Sequence, residues 1–391
     1  MKIGIITHYY NNHNYGGLLQ AYALCHFLNS KGYAAEQICY VTNDQNDSQS
    51  DFNGQYKRTR NKVQRITLKN MLRLAKNITL KIFSSIKNRK WKKRYFLMES
   101  FQKSIPHSEQ VYSKKTISSI SNKYDCFITG SDQVWNTDWF VSTYFLDFVG
   151  DNEKKISYAA SIGKPKLNQE QNNIFKQYLS DYKAISVREK QACSLLEDAT
   201  GRQDVKWVLD PTLLLEKDDW DLIASKRIIK EKYVFCFFLG EDTISRNKAM
   251  QYAKEKKLKI VNVPHLYNYK KTESDYHFGD YKLFYISPND FISLIKYAEC
   301  VFTNSYHASV FSCIYSKNFF VFNRLDEMKM SDRIDTLCEL FGCMNHYCND
   351  EKKNTIEYIL KVSDIDYRSN SETFISMKQA SKDFLLNSIG S

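Results

Sequence analysis

The order of elements at the start of the chain constrains the fold more than any other feature. A short apolar run comes first, a polar loop follows, and the next stretch has apolar residues at helical spacing. Lys2–Thr7 is apolar with little alternation, which is typical of a buried parallel strand. A polar loop follows, and Leu18–Asn29 then places apolar residues on one helical face. Gln37–Val41 indicates a second strand. Such a strand–loop–helix–strand unit begins a doubly wound α/β fold.

The same pattern recurs along both halves of the chain. Its 391 residues suit two domains of roughly 150–200 residues each. Further strands are predicted at Tyr124–Thr129, Ile156–Ala160, Ala184–Val187, Lys206–Val208, Tyr233–Leu239, Leu258–Val263, Cys300–Thr303 and Phe319–Phe322. Asp210-Pro211-Thr212 interrupts the chain after a strand, so the domain boundary is predicted there.

We therefore expect an α/β protein with two Rossmann-like domains that face one another across a cleft. The expected domains are residues 1–209 and 210–365, and residues 366–391 are expected to form a terminal helix that packs back on the N-terminal domain. In open α/β sheets, ligands bind at the carboxyl ends of the strands. The loops that follow the predicted strands are therefore the places to look for function.

The positive charge of the chain is concentrated in one segment. The net charge is +12, yet no acidic residue lies between Phe52 and Met98, and fifteen Lys or Arg lie between Lys57 and Arg94. Apolar residues at three- and four-residue steps over positions 68–86 predict an amphipathic basic helix or helix pair, inserted in the first domain over residues 57–98. It either docks on an anionic membrane or packs on its own domain. Stacking aromatics are sparse there, so nucleic acid is not an expected partner.

Other bulk features narrow the class of protein. No run of 18 or more apolar residues exists, so no membrane span is expected. MKIGIITHYY lacks the long apolar region of a signal peptide, and the ten cysteines show no paired spacing, so we expect a cytoplasmic protein with reduced thiols. No His, Asp or Glu cluster accompanies the motifs below, so no metal is expected.

The first motif is Asn14-Tyr15-Gly16-Gly17, directly before the first predicted helix. Two glycines let backbone N–H groups approach a ligand, and a helix N-terminus favours an anion. A tight strand-to-helix turn would need the same residues. The motif is not a dinucleotide fingerprint, because the third glycine is missing.

The second motif runs from Thr129 to Asn136, immediately after an apolar strand, and contains Ser131, Asp132, Gln133 and Trp135. Asp, Gln, Trp and Asn suit hydroxyl recognition and stacking against a sugar ring. The alternative is a structural loop in which the Trp fills the core.

The third and fourth motifs also follow predicted strands. Arg188, in Ser-Val-Arg-Glu, can hold a carboxylate or phosphate in a fork, or form an ion pair with Asp or Glu. His307, in Thr-Asn-Ser-Tyr-His, opens a predicted helix beside hydroxyl groups and is well placed to give or take a proton. A buried structural histidine is the alternative.

The order of the motifs NYGGLLQAYAL, GSDQVWN, ISYAASIG, SVRE, LDPTLLL and TNSYHASVFS resembles the polysaccharide pyruvyl transferase family over most of the chain. The resemblance implies a glycosyltransferase-B-like pair of Rossmann domains and phosphoenolpyruvate as the donor of a pyruvyl group. It also implies a donor pocket at the strand–helix turn that bears His307. The enzyme would use no cofactor and no metal.

The motifs together with the resemblance give expected roles. His307 would be the general acid, Asp132 the base for the attacking hydroxyl, and the other expected residues fall into a donor set and an acceptor set. The donor set is Arg188, Arg333, Asn304, Ser305 and Tyr306. The acceptor set is Asn14, Tyr15, Gly16, Gly17, Gln20, Ser131, Gln133, Trp135 and Asn136.

One departure from the family concerns the donor's charge. Some members have Arg-Xaa-His at the turn, where this chain has Ser305-Tyr306-His307. Another cation must then balance the donor, and Arg188 and Arg333 are the candidates.

Three functions remain open at this point. The first is pyruvyl transfer to a glycan or a lipid-linked saccharide, by a cytoplasmic enzyme whose basic segment contacts the inner face of the cell membrane. The second is a nucleotide-sugar-dependent glycosyltransferase of the same architecture. The third is a non-enzymatic binder, which only the basic segment suggests.

Overall fold

The computed structural model describes residues 1–42, 92–267, 270–271, 273–324 and 331–390. The whole predicted amphipathic stripe over 68–86 lies outside these residues. No helix in the described part is long and apolar enough to cross a membrane.

Within the described residues, the first half of the chain builds a five-stranded parallel sheet. Its strands are β1 Lys2–Ile6, β2 Ala34–Tyr40, β3 His107–Tyr112, β4 Cys126–Thr129 and β5 Lys155–Ser157. They lie in the order β3-β2-β1-β4-β5, so the strand order reverses between β1 and β4. A ligand crevice is expected at this switch point. Two short parallel strands, β6 Ser186–Val187 and β7 Lys206–Trp207, continue the sheet through isolated bridges at Ala184 and Val187.

Helices cover this sheet, and local sequence sets their ends. They are Tyr15–Ser30, residues 92–104, Gln169–Leu179 and Lys190–Thr200. The Asn14 side chain accepts hydrogen bonds from the backbone N–H groups of Gly16 and Gly17, at 2.9 and 3.3 Å, and so caps the first helix. Gly201 ends the last one in a left-handed conformation that suits glycine.

The second half of the chain repeats this architecture. Its strands are β8 Tyr233–Phe237, β9 Lys259–Asn262, β12 Tyr281–Lys282, β13 Cys300–Thr303, β14 Asn318–Phe322 and β15 Tyr347–Cys348. They form a six-stranded parallel sheet in the order β12-β9-β8-β13-β14-β15. A separate antiparallel pair is formed by β10 Leu266–Tyr267 and β11 Lys270–Lys271. The helices are Lys217–Ile223, Thr243–Glu255, Ser274–His277, Pro288–Lys296, Tyr306–Ile314, Ser331–Leu340, Ile356–Lys361 and Ser371–Gly390. The predicted pair of Rossmann-like domains is confirmed.

The two sheets share one continuous apolar core. Tyr15, at the start of the first helix, stacks on Phe291 of the second half with ring centroids 4.7 Å apart. Its hydroxyl donates to the Ile286 carbonyl at 3.2 Å. Trp220 of the second half lies against Tyr22 of the first helix, with ring centroids 5.7 Å apart. The loops after β1 and β4 are thereby held close to the loops after β13 and β14.

The terminal helix Ser371–Gly390 lies against the segment that joins the two sheets. The Ser381 hydroxyl accepts a hydrogen bond from the Leu209 backbone N–H at 3.0 Å. Lys378 donates to the Leu215 carbonyl at 2.9 Å and pairs with Glu216 at 2.7 Å. The helix therefore fixes the backbone on either side of Asp210.

Candidate active site

Arg188 is the centre of a buried charge network. It follows β6, and its side chain is only 1% exposed. Its Nη1 donates to Asp210 Oδ2 at 2.8 Å, its Nη2 lies 3.5 Å from Asp132 Oδ1, and its Nε lies 3.8 Å from Glu189 Oε1. Three carboxylates therefore surround one guanidinium. Of the two roles considered for Arg188, the structure shows ion pairs with Asp and Glu.

His307 joins this network from the other half of the chain. It lies in the first turn of the helix Tyr306–Ile314, which the Ser305 hydroxyl caps. Its Nε2 is 3.6 Å from Asp210 Oδ2. Its ring also lies against Gly16, because a Cβ at Gly16 would overlap the imidazole. The glycine of the first motif is thus needed for close approach to His307.

Both aspartates of the network are held in the ionised form. Burial alone would raise the pKa of the Asp210 carboxyl, but the nearby imidazole of His307 and the charge of Arg188 outweigh it and hold that pKa well below its usual range. Burial also opposes ionisation of Asp132, and there the charges of Arg188 and His307 again lower the pKa. Asp132 is therefore a hydrogen-bond acceptor at neutral pH and only a weak base.

A cavity of about 330 Å³ lies at the carboxyl ends of β13 and β14. Its lining includes Asn304, Tyr306, Arg324 and Arg333. The Arg333 guanidinium lies 5.7 Å from the Tyr306 ring, and its Nε lies 4.0 Å from Glu189 Oε1. Burial, and then the nearby charge of Arg188, lowers the pKa of Arg333 to about 10, so it still carries its charge at neutral pH. The cavity thus presents two arginines.

The expected donor set is only partly brought to this cavity. Arg333, Asn304 and Tyr306 line it, whereas Arg188 lies behind Tyr306, with its guanidinium 4.8 Å from that ring. Ser305 is occupied as the helix cap. The Asn304 side chain forms two hydrogen bonds with the loop after β8. Its Oδ1 accepts from the Leu239 N–H at 2.6 Å, and its Nδ2 donates to the Leu239 carbonyl at 3.2 Å.

A second cavity, of about 450 Å³, lies at the switch point of the first sheet. Asn14, Asp132 and Gln133 of the expected residues line it. The other lining residues are His8, Tyr10, Asn11, Asn12, Tyr40, Val41, Thr42, Trp139 and Tyr144. No Lys or Arg is among these described lining residues. The two cavities therefore differ in charge.

Three large side chains of the expected acceptor set are buried away from this cavity. Tyr15 belongs to the core shared by the two sheets. Gln20 is fully buried and donates from Nε2 to the Gly17 carbonyl at 3.0 Å, while its Oε1 accepts from the Ser131 N–H at 3.2 Å. Trp135 is fully buried, stacks on Phe145, and donates from Nε1 to the Tyr144 carbonyl at 3.2 Å. These side chains hold the loops in place and are not brought to the cavity.

Three smaller residues of the expected acceptor set, Ser131, Asn136 and Gly17, also have structural roles at the site. The Ser131 hydroxyl donates to the Ala159 carbonyl at 2.9 Å and lies 3.3 Å from Asp210 Oδ2. Asn136 caps a short helix, since its Oδ1 accepts from the Asp138 N–H at 3.0 Å. A Cβ at Gly17 would overlap the amide of Asn12, so this glycine makes room for a lining residue.

Asp210, Glu189 and Arg324 belong to the site but were not predicted as site residues from the sequence. Asp210 and Glu189 stood in motifs directly after strands, and Arg324 follows β14 by two positions. The position of each after a strand was the available signal. In the described residues, no group of three or more His, Cys, Asp or Glu is arranged to hold a metal ion.

Three solved structures similar to this chain are two UDP-N-acetylglucosamine 2-epimerases, one of them putative, and a protein in complex with UDP-glucose. The putative UDP-N-acetylglucosamine 2-epimerase from Listeria monocytogenes is 12% identical with a TM-score of 0.49, over 97% of this chain and 91% of that chain. The UDP-GlcNAc 2-epimerase from Neisseria meningitidis bound to UDP-GlcNAc is 13% identical with a TM-score of 0.45, over 99% and 100%. Anabaena Alr3699/HepE in complex with UDP-glucose is 10% identical with a TM-score of 0.46, over 99% and 100%.

Comparison of the sequence with curated proteins finds no match. The family model of polysaccharide pyruvyl transferases matches residues 14–326, which include the turn of Gly16, the loop of Asp132, Arg188 and the helix start at His307. The match thus covers most strands of both sheets and part of the lining of each cavity, whereas β1, β15 and Arg333 lie outside it. The chain belongs to the polysaccharide pyruvyl transferase family.

Proposed function

We propose that this protein transfers a pyruvyl group from phosphoenolpyruvate to a pair of sugar hydroxyls of a bacterial surface polysaccharide or its lipid-linked precursor. The observation that carries the proposal is the difference in charge between two cavities that border the buried network of Arg188 and His307, one through Tyr306 and the other through Asp132. His307 itself is not among the described residues that line either cavity. The cavity beside Tyr306 presents two arginines, Arg324 and Arg333, and one carboxylate, Asp335. The described lining of the other cavity has no Lys or Arg, and beside the carboxylate of Asp132 it offers mainly amides, hydroxyls and aromatic rings. An anionic donor suits the first and a neutral sugar suits the second.

The reaction needs one proton on carbon and one leaving group. The methylene carbon of the donor gains a proton, the first sugar hydroxyl adds to C2, the C2–O bond to phosphate breaks, and the second hydroxyl closes the ketal. The two sugar hydroxyls lose two protons in total. One proton is matched by the proton that the methylene carbon gains as it becomes a methyl group, and the other leaves with phosphate. Nothing is oxidised or reduced. We propose His307 as the acid, because histidine exchanges protons near neutral pH.

The other residues of the site have supporting roles in this proposal. Arg324 and Arg333 would hold the carboxylate and phosphate of the donor, which supplies the charge that the Ser305-Tyr306-His307 turn lacks. Asp132, with its lowered pKa, would orient the attacking hydroxyl by accepting its hydrogen bond. Arg188 would act through Asp132 and Asp210 rather than on the donor.

The experiment replaces the proposed acid without changing its size greatly. His307→Gln protein is incubated with phosphoenolpyruvate and the surface polysaccharide of the source organism, after mild acid has removed its pyruvate ketals. We expect phosphate release and new ketals with the parent, and a rate about 10²–10⁴ lower with the variant, the usual loss for a general acid. Both proteins should give the same circular dichroism spectrum. Turnover of the variant within a few-fold of the parent would show that His307 is a packing residue.

Two further arms of the same assay separate the alternatives. A chelator should leave the rate unchanged, because we propose that donor charge is met by arginine and that no metal or other cofactor takes part. A nucleotide-sugar-dependent glycosyltransferase would instead transfer sugar from a nucleotide donor and ignore phosphoenolpyruvate. Loss of turnover in chelator, restored by one divalent ion, would contradict the metal-free mechanism.

A further inference from the structure

Trp139 lies at the edge of the cavity beside Asp132 and leaves 39% of its surface exposed. Deeper lining residues such as Tyr144 are almost fully buried, so Trp139 forms part of the rim. A large apolar side chain at the rim of a polar cavity leaves an apolar face in water unless a ligand covers it. The indole adds a polar N–H beside that face, a combination typical of binding surfaces.

The segment that carries Trp139 is firmly supported. The Trp139 N–H donates to the Asn136 carbonyl at 3.4 Å, within the short helix Thr137–Trp139. Gln171 donates to the Thr137 hydroxyl at 2.8 Å, and Asp138 pairs with Lys164 at 2.7 Å. Contacts from separate parts of the chain thus hold this turn. A rim aromatic fixed in this way loses little conformational freedom when a ligand stacks on it.

Phe140, the residue after Trp139, adds aromatic contacts that hold the turn in place. The Phe140 ring lies 5.3 Å from Phe145 and 5.6 Å from Tyr178, centroid to centroid. The turn is therefore anchored in the aromatic core of the first domain on one side, while Trp139 borders the cavity on the other.

The chemistry of the cavity indicates what the ligand is. The lining offers amide groups from Asn12, Asn14 and Gln133, and its carboxylate, Asp132, already faces Arg188. No cation among the described lining residues would match a phosphate. A volume of about 450 Å³ is within the ~300–1,000 Å³ of small-molecule sites. These features suit a neutral, hydroxyl-rich ring.

We infer that the cavity and Trp139 form two adjoining saccharide subsites, and that Trp139 is the residue that recognises the second ring of the acceptor. The first ring lies in the cavity near Asp132 and Gln133, and the next ring stacks its apolar face on the Trp139 indole. The inference rests on the proposed function only for the reaction that follows, since saccharide binding can be measured without a donor.

The test measures binding in the absence of phosphoenolpyruvate. The full-length protein is applied to an array of bacterial surface oligosaccharides, and the best-bound glycan and the methyl glycoside of its terminal sugar are then titrated by calorimetry. We expect Trp139→Ala to weaken the oligosaccharide by about 3- to 10-fold, the range for one aromatic stacking contact. The methyl glycoside should change by less than roughly twofold, because it does not reach the rim.

Two further variants serve as controls. Trp139→Phe keeps an aromatic face and should recover most of the lost affinity. Phe96→Ala removes an aromatic side chain that is 67% exposed and does not line the cavity, so it should bind like the parent.

Three outcomes would overturn the inference. They are no binding to any glycan of the array, an equal loss for the oligosaccharide and the methyl glycoside, and parental affinity in Trp139→Ala. If Trp139 instead serves a protein or lipid surface, the third outcome is the one expected. Saccharide binding through Trp139 without turnover of phosphoenolpyruvate would refute the proposed function and leave the inference standing.

Discussion

Gly16 and His307 come from opposite halves of the chain and meet at the centre of the site. Because a Cβ at position 16 would overlap the imidazole, the glycine is required by its neighbour as well as by its own turn. The imidazole is held between this backbone and the Asp210 carboxylate, 3.6 Å from its Nε2. The orientation of the proposed acid therefore depends on Gly16 and Asp210.

Gly16→Ala should move His307 while leaving both cavities in place. A misplacement of about 1 Å can cost 10²-fold in rate, so we expect turnover to fall by about that factor with little change in phosphoenolpyruvate affinity. Gly150→Ala is the matched control, because a Cβ there meets no atom within 4 Å. The measurements are kcat for phosphate release and the donor Kd by calorimetry. Parental kcat in Gly16→Ala would contradict the positioning role.

Asp210 should matter for stability in a manner that depends on pH. Its folded pKa is held below the unfolded value of about 3.9, so its contribution is complete above that pH and is lost as the pH falls toward the folded pKa. Asp210→Asn leaves Arg188 with one fewer buried partner, which costs about 3–5 kcal/mol in comparable cases. Urea unfolding should therefore show a large deficit at pH 7 that shrinks below pH ~4.

The exposed Asp198 provides the control for this measurement. Asp198→Asn should change the free energy of unfolding by less than about 0.5 kcal/mol at either pH. A deficit of Asp210→Asn that stays constant between pH 7 and pH 3 would show that its ionisation does not contribute.

At the scale of elements, the terminal helix Ser371–Gly390 supports the segment that connects the two sheets. Leu385 on this helix is fully buried, whereas Ile375 on the same helix is 62% exposed. Together with the bond from Leu209 to Ser381, this one-sided burial indicates that the helix contributes to the stability of the folded chain.

Leu385→Ala should lower the free energy of unfolding by about 2–5 kcal/mol, the usual cost of emptying a buried leucine site. Ile375→Ala on the exposed face should change it by less than about 0.5 kcal/mol. Thermal and urea unfolding of the two variants measure this directly. Equal effects would mean that the helix does not pack as described.

The basic segment is a second element with a testable role. Residues 43–91 lie outside the described part of the chain, but the helix over 92–104 that follows is described. Arg94 on it is buried, donates to the Pro264 carbonyl at 2.7 Å and lies 4.8 Å from the Tyr15 ring. The end of the segment is therefore attached where the two halves meet, while Lys92 and Lys93 are exposed.

We predict that the basic segment binds anionic membranes. Each Lys or Arg near such a surface contributes about 1 kcal/mol, so Arg73→Glu with Lys76→Glu should strongly reduce sedimentation with anionic vesicles. Lys230→Glu with Lys352→Glu, at exposed positions elsewhere, is the control of equal charge. Binding should weaken as salt is raised. Sedimentation that ignores salt, or that is equal for the two double variants, would contradict the prediction.

At the scale of the whole molecule, the apolar pattern was sufficient to predict both sheets but not all of their edges. Cys300–Thr303 is a strand with the predicted bounds, because a run buried on both faces is continuously apolar. The edge strand His107–Tyr112 was not predicted, since it is largely polar and exposed. Tyr281–Lys282 and Tyr347–Cys348 are only two residues long and carry no periodic signal.

The composition of the site was harder to predict than its location. The structure brings the motifs of Gly16, Asp132, Arg188 and His307 together, because all four follow strands whose carboxyl ends face the same cleft. Which side chains face a ligand did not follow from the sequence. A tryptophan at position 135 is equally consistent with stacking on a sugar and with stacking on a core side chain. Only the three-dimensional packing shows that it stacks on Phe145.

The central claim is that the arginine-lined cavity binds phosphoenolpyruvate. Calorimetric titration of the full-length protein with phosphoenolpyruvate, UDP-glucose and UDP-N-acetylglucosamine tests it most directly. We predict binding of phosphoenolpyruvate alone, weakened about 10- to 100-fold in Arg324→Ala or Arg333→Ala and unchanged in Arg368→Ala, whose side chain is 96% exposed. Binding of a sugar nucleotide without phosphoenolpyruvate, or phosphoenolpyruvate binding that ignores both cavity arginines, would contradict the account.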